Sequence, residues 1–332
     1  MKTKLIALGL MLLAMSGLSQ AATTLKIATL APDGTNWMKS MRAAADQISA
    51  ETDGRVKIKY FPGGIQGSDK TVLRKMQIGQ LSGGAVSAGA LGDIAKEAQL
   101  YSLPFTFRNQ QELSAVRSEF DHYITDAMEA KGYVVLGLTE GGFAYLMGNK
   151  PLRTKADFVG TKVWAPEGDV VTATVFQKAG IEPIMLPLSD VYTSLQTGLI
   201  DTVGVNMTAS IALQWHTKLT HVTDLPLLSL MGTMIVSDKS FSKISADDQA
   251  IVRRVMKDTY AAMDSQNTKD EEGARQALQN SGLTFVELSD ADKATWQQLA
   301  DETLAELASK DVYPVDIYKK LQARLTELRQ GQ

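Results

Sequence analysis

The chain has 332 residues, 44% of them apolar and 21% charged, with a formal net charge of −3 and no cysteine. The missing cysteine excludes disulfides, thiolate metal sites and a thiol nucleophile. The mildly acidic charge balance offers no basic patch for nucleic acid or for an anionic membrane surface.

Residues 1–21, MKTKLIALGLMLLAMSGLSQA, carry Lys2 and Lys4, an apolar run from Leu5 to Leu18, and then Ser19-Gln20-Ala21. A positive start, a short apolar stretch and small residues at −3 and −1 are the parts of a secretory signal peptide. The apolar run is too short to cross a hydrocarbon core of about 30 Å comfortably. Cleavage is expected after Ala21 or Ala22, giving a soluble, exported protein in the periplasm. The roughly 310 residues that remain are too many for one small core and point to two domains.

The mature region alternates strand and helix signals. LKIATL (25–30) reads as a half-buried strand. After the turn Pro32-Asp33-Gly34, residues 36–51 form a helix whose stripe is Trp37, Met41, Ala44, Ala45 and Ile48. Gly54 ends it. VKIKYF (56–61) is the next strand, followed by the loop PGGIQGSD and a helix from about Lys70 to Gln77. YVVLGL (133–138) is a further strand, followed by the glycine pair of TEGGF (139–143), where glycine lets a backbone approach something closely. This alternation predicts an α/β fold with largely parallel strands. The C-terminal part is helical. Ser245-Ala246-Asp247-Asp248 opens a proline-free segment reaching about Asn280, Ser289 opens another helix, and Pro314 marks a last one. A helix of about 35 residues is about 50 Å long, enough to lie across two domains.

VLRKMQIGQLSGGAV (72–86) aligns without gaps to VYTSLQTGLIDTVGV (191–205), pairing Gln77 with Gln196, Gly79 with Gly198 and Val86 with Val205. Each is a helix ending at a glycine suited to the left-handed conformation, then a short apolar strand. The echo predicts two lobes on one plan. Ligands of open α/β sheets sit beyond the carboxyl ends of strands, so two facing lobes make a cleft.

The chemistry favours recognition over reaction. His216 and His221 are five apart, which is the wrong spacing for one helix face, so no metal site is predicted. No nucleophile motif, phosphate loop or complete dinucleotide fingerprint is present, and neither enzyme activity nor a cofactor is expected. The segment GTKVWAPEGD (160–169) could be a catalytic acid pair or a calcium loop, but two carboxylates flanking a glycine lack the further ligands and rhythm those need. Polar and aromatic residues instead cluster after predicted strands: Asp33, Asn36 and Trp37; Ser87; Glu140 and Tyr145; Trp164 and Glu167; Asn206. Such a set suits a binding cleft.

The sequence resembles the periplasmic solute receptors of tripartite ATP-independent periplasmic (TRAP) transporters, of the dicarboxylate type. The matching stretches are LKIATLAPDGTNW, GRVKIKYFPGGIQG with QIGQL, YSLPFTFRN, KADFVGTKVWAPE and AGIEPIMLPLSDVYTSLQTGLIDTV. The resemblance implies a two-lobed periplasmic binding protein with hinge strands and a long helix spanning both lobes. It implies a division into 22–140 with about 231–270, and about 141–230 with 271–332. A small organic solute would bind between the lobes and pass to membrane permease subunits. A receptor of an ATP-driven importer, or of a sensor system, is the alternative; the run from Leu186 to Asp201 argues against the importer.

The resemblance also exposes a departure. In the family the segment reads G-x-K-x-R-x-P, and its arginine binds the solute's carboxylate. Here Gly160, Lys162 and Pro166 match, but Trp164 takes the arginine position and Phe143 takes that of a second frequent arginine. Val205 occupies a column where the family often has asparagine, with Asn206 following. Trp164 and Phe143 offer faces for stacking or cation–π contact. The expected solute is therefore a neutral polyol, an aromatic compound or an amine, with a carboxylate held by Lys162, backbone amides or hydroxyls as the competing case.

Overall fold

The computed structural model describes residues 22–331; the expected leader at 1–21 lies outside the described residues. The strands are β1 (Thr23–Thr29), β2 (Val56–Phe61), β3 (Gly83–Ser87), β4 (Tyr133–Gly148), β5 (Trp164–Pro166), β6 (Ile184–Leu186), β7 (Thr202–Val205), β8 (His221–Thr223), β9 (Leu228–Ser237) and β10 (Thr284–Val286). In the first lobe β1 lies parallel between β2 and β3, and β3 pairs antiparallel with β9. In the second lobe β4 pairs antiparallel with β7 and β8, and β8 is parallel to β10. β5 and β6 form a parallel pair that reaches β7 through a bridge from Val163 to Thr202.

β4 and β9 belong to both lobes. They pair antiparallel from Tyr133 opposite Ser237 to Ala144 opposite Leu228, with a register shift between Glu140 and Phe143. The glycine pair thus does not end the strand. Gly142 takes a φ of +77° and makes a bulge, so the chain bends and continues to Gly148. Ladder hydrogen bonds lost at the bulge are replaced from a helix: the Glu140 amide donates to Asp264 Oδ1 at 3.1 Å, and Asn267 Nδ2 donates to the Glu140 carbonyl at 2.6 Å.

That helix, Ala246–Asn280, is the expected long one. Ser245 caps it by accepting from the Asp248 amide. Its first half buries Val252, Val255, Met256, Tyr260 and Met263 with Leu25, Ile27 and Met41 of the first lobe. Its last turns bury Ala274 and Leu278 with Val203, Trp215 and Leu219 of the second. One rod therefore packs into both cores.

The internal echo has a spatial counterpart. Helix Asp69–Gln77 leads into β3 and helix Val191–Thr197 into β7, and the intervening Gly79 and Gly198 have φ of +77° and +71°. β3 and β7 each run antiparallel to one of the two shared strands.

The expected division of the chain needs one correction. It placed everything after residue 270 in the second lobe, yet the last helix, Val315–Gln330, puts Tyr318, Leu321 and Leu325 into the first-lobe core with Leu113, Val116 and Phe120. An apolar stripe announces that a helix will be buried, but not which lobe supplies the opposing face.

Candidate functional site

Between the lobes lies a cleft of about 840 Å³. On the first-lobe side it is lined by Leu30 to Pro32 after β1, by Asn36 and Trp37 at the start of helix Asn36–Glu51, and by Asp69 and Ser87. Trp164, Glu167, Asp169, Leu188, Asn206 and Ile211 line the second-lobe side. Lys269, Asp270 and Gly273 of the long helix close it.

Trp164 is a wall panel. It is 3% exposed, its indole N–H donates to the Leu186 carbonyl at 3.0 Å, and its ring packs edge-on against Trp215 at 5.3 Å between centroids. The polar edge of the indole is thus used inside its own lobe, and what remains for a ligand is apolar surface. Pairing of β5 with β6 holds it there: Trp164 stands opposite Ile184 and Leu186 two places on.

Ser87 and Asn206 occupy matching places at the ends of their strands, Ser87 as the last residue of β3 and Asn206 directly after β7, each preceding a short helix. Asn206 Oδ1 accepts from the Ala209 amide at 2.6 Å, and its Nδ2 donates to the Gly141 carbonyl at the hinge bulge. Its amide group therefore ties the second lobe to the hinge. Ser87 gives its amide and its hydroxyl to Asp69 Oδ2, at 2.9 and 2.7 Å. Asp69 is only 8% exposed, and its Oδ1 is buried with no hydrogen-bond partner. Asp169 caps helix Val170–Lys178, with Oδ1 accepting from the Thr172 amide at 3.0 Å and Oδ2 from the Thr172 hydroxyl at 2.7 Å. Burial pushes both the Asp69 and the Asp169 carboxyls above their ordinary range.

The turn holding Asp169 reaches the opposite lobe. A Cβ added to Gly168 would stand 2.1 Å from Lys70 Cε, and one added to Gly89 would stand 3.1 Å from Asp169 Cγ. The lobes touch at this point. Lys70 itself pairs with Asp93 at 3.6 Å. Among the charged residues lining the cleft, Lys269 stands against Asp69, Glu167, Asp169 and Asp270, and none of these carboxylates has a basic partner within 4 Å. Among the described residues no arginine lines the cleft.

Of the ten residues expected at a site, the cleft brings together Asn36, Trp37, Ser87, Trp164, Glu167 and Asn206. The other four lie outside its lining. Asp33 is exposed and paired with Arg42 at 2.8 Å. Glu140 is 2% exposed and bonded by Arg117 at 3.1 Å, part of a network in which Arg117 also meets Asp121 and Asp264. Burial pushes its carboxyl up, against the pull of Arg117. Phe143 is buried in the first-lobe core beside Leu138 and Met231. Tyr145, two residues on in β4, packs between cores near Glu271 and Arg275. The extended bulged strand turns these three inward, which a strand read as ending before TEGGF could not foresee. Asp69 and Asp169 were missed as a pair. Their common signal was a carboxylate at a helix start directly after a glycine-bearing loop. Among the described residues no cluster of histidine and carboxylate side chains could hold a metal.

The chain was compared with known proteins. The profile of the bacterial extracellular solute-binding proteins, family 7, matches residues 27–311. The C4-dicarboxylate-binding periplasmic protein DctP of Rhodobacter capsulatus is 25% identical over 263 residues, 78% of each chain. A TRAP periplasmic solute-binding protein from Shewanella oneidensis, solved with bound succinate, has a TM-score of 0.84 at 21% identity, over 91% of this chain and 99% of that one. One from Roseobacter denitrificans with bound β-D-glucuronate has a TM-score of 0.83 at 22% identity, over 90% and 99%. The structural likeness establishes a common fold.

Proposed function

The chain belongs to the bacterial extracellular solute-binding proteins of family 7, and from that premise we propose that it is the extracytoplasmic receptor of a TRAP transporter. It takes a small organic solute between its lobes and hands it to membrane permease subunits, with no chemical change to the solute. Its place is the periplasm, reached with a signal peptide that is then removed; the intact mass of the exported protein tests this, and a mass retaining residues 1–21 would contradict it. The reading is supported by relatives that are TRAP receptors and by two lobes joined through β4, β9 and one long helix.

The solute site is the arginine-free cleft, with Asn36, Trp37, Ser87, Trp164, Glu167 and Asn206 in its wall. The observation that carries this is Trp164 itself: at the position where the resemblance implies an arginine, its N–H is spent on Leu186 and it faces the cleft with apolar surface. A charge-assisted hydrogen bond contributes about 1.5–3 kcal/mol, so the missing guanidinium weakens carboxylate binding by one to several powers of ten. The test is a thermal-shift screen of the mature protein against carboxylates, amines, polyols and neutral aromatics. A ligand at 100 times its dissociation constant adds about 2.7 kcal/mol to stability, a shift of a few degrees. No shift across the whole panel would contradict the receptor reading. For succinate, Trp164→Arg is expected to bind more tightly than the unsubstituted protein, and equal binding would contradict the role given to position 164.

A further inference from the structure

We infer that the solute carries a protonated nitrogen on an apolar body, and that Asp69 and Asp169, one from each lobe, receive that cation as the lobes meet. The inference rests on the cleft being the solute site proposed above, and adds the chemical class of the ligand.

Asp69 carries the argument. Its Oδ2 is occupied by the Ser87 amide and hydroxyl, while its Oδ1 is buried in the cleft wall without any partner. An ionised carboxylate with an unsatisfied buried oxygen is costly, and a cation with hydrogens to donate removes that cost. Asp169 reaches over from the second lobe to pack against Gly89, in the short helix that Ser87 precedes. Its two oxygens are held by Thr172, which fixes the carboxylate's direction; Lys70 lies against the neighbouring Gly168 without forming an ion pair to Asp169. Lys70, the next residue after Asp69, is turned to Asp93.

The rest of the cleft states what the cation is attached to. Trp37, Leu30, Leu188, Ile211 and Leu213 give it apolar walls. A free polyol would leave such surface unused, and a dicarboxylate would meet Glu167, Asp169 and Asp270 with Lys269 as the lone cation among the lining residues. Ammonium at the two aspartates and hydrocarbon along the walls uses both parts. A neutral hydroxyl could bond Asp69 Oδ1, but it leaves the charge of the buried Asp69 and the half-buried Asp169 unbalanced.

The test uses matched probes on the purified mature protein: 2-phenylethylamine, 2-phenylethanol and 3-phenylpropionate, and the corresponding amine, alcohol and carboxylate on an indole and on a hexyl body. Binding is read by thermal shift and by calorimetry. The amines are expected to bind at least ten-fold more tightly than the alcohol or carboxylate on the same body. Asp69→Asn keeps an acceptor for Ser87, and Asp169→Asn keeps a helix cap; each should weaken the amines about ten-fold or more and so narrow their advantage over the alcohol on the same body. If the alcohols or carboxylates bind as well as the amines, if no amine binds, or if both variants retain amine affinity, the inference is overturned. A carboxylate or polyol that binds in place of an amine leaves the receptor reading standing, whereas silence across the broad panel of solutes removes that reading too.

Discussion

Arg329 closes on Glu112 through Nε to Oε1 at 2.8 Å and Nη2 to Oε2 at 2.7 Å, with a further bond to the Thr106 carbonyl at 3.1 Å. Burial alone would raise the Glu112 carboxyl, but the bonds from Arg329 and from the Arg108 amide bring it below its ordinary value. Because the folded-state value is the lower one, the pair's contribution is complete above the unfolded value of about 4.3 and is lost as pH falls through the folded value. Arg329→Met leaves Glu112, 4% exposed, without its counterion and should cost about 3 kcal/mol at pH 7. Urea unfolding at pH 7 and again near pH 3.5 would check both points: the gap between variant and parent should narrow at the lower pH. At this scale sequence told one thing well. The resemblance implied an arginine where GTKVWAPEGD has Trp164, and that departure was legible. That its N–H would find the Leu186 carbonyl was not, because the partner arrives through the pairing of β5 with β6.

Helix Ala246–Asn280 meets β4 where the strand has no side chain. A Cβ on Gly137 would stand 2.2 Å from the Tyr260 ring, and that ring is 4% exposed with the first-lobe core behind it. Gly137→Ala should therefore cost about 1–3 kcal/mol through overpacking. Gly273, on the same helix, has nothing within 4 Å of an added Cβ. There Ala should instead raise stability by about 0.8–1 kcal/mol through helix propensity. Opposite signs in urea midpoints would confirm that the strand contact, and not the helix itself, is the tight point. Helix Asn36–Glu51 appeared in the sequence at about the bounds it has in the fold, since its apolar stripe is a local signal. β4 ran ten residues beyond its predicted end. A glycine pair reads locally as a stop, and only pairing with β9, supported by Asp264 and Asn267 from a distant helix, turns it into a bulge.

Taken together, the two lobes are coupled by three spans of chain: β4, β9 and the long helix. They also meet across the cleft, with Gly168 over Lys70 and Asp169 against Gly89. Gly89→Val should push on Asp169 and hold the lobes apart, weakening the solute found by screening about ten-fold while changing the unfolding of the solute-free protein by less than about 0.5 kcal/mol. Calorimetric binding set against urea unfolding separates the two effects; an equal loss in both would show that Gly89 matters to folding and not to closure. Sequence by itself determined the α/β plan, the repeated helix–glycine–strand unit and the long helix, because each is written in residues close together along the chain. Tertiary structure alone decided that the last helix packs into the first lobe, and that Glu140, Phe143 and Tyr145 turn inward. It also decided that Asp69 and Asp169, a hundred positions apart, face one cleft. Those outcomes depend on which surfaces meet once strands pair across both lobes, and no local pattern of residues specifies the partner on the other side.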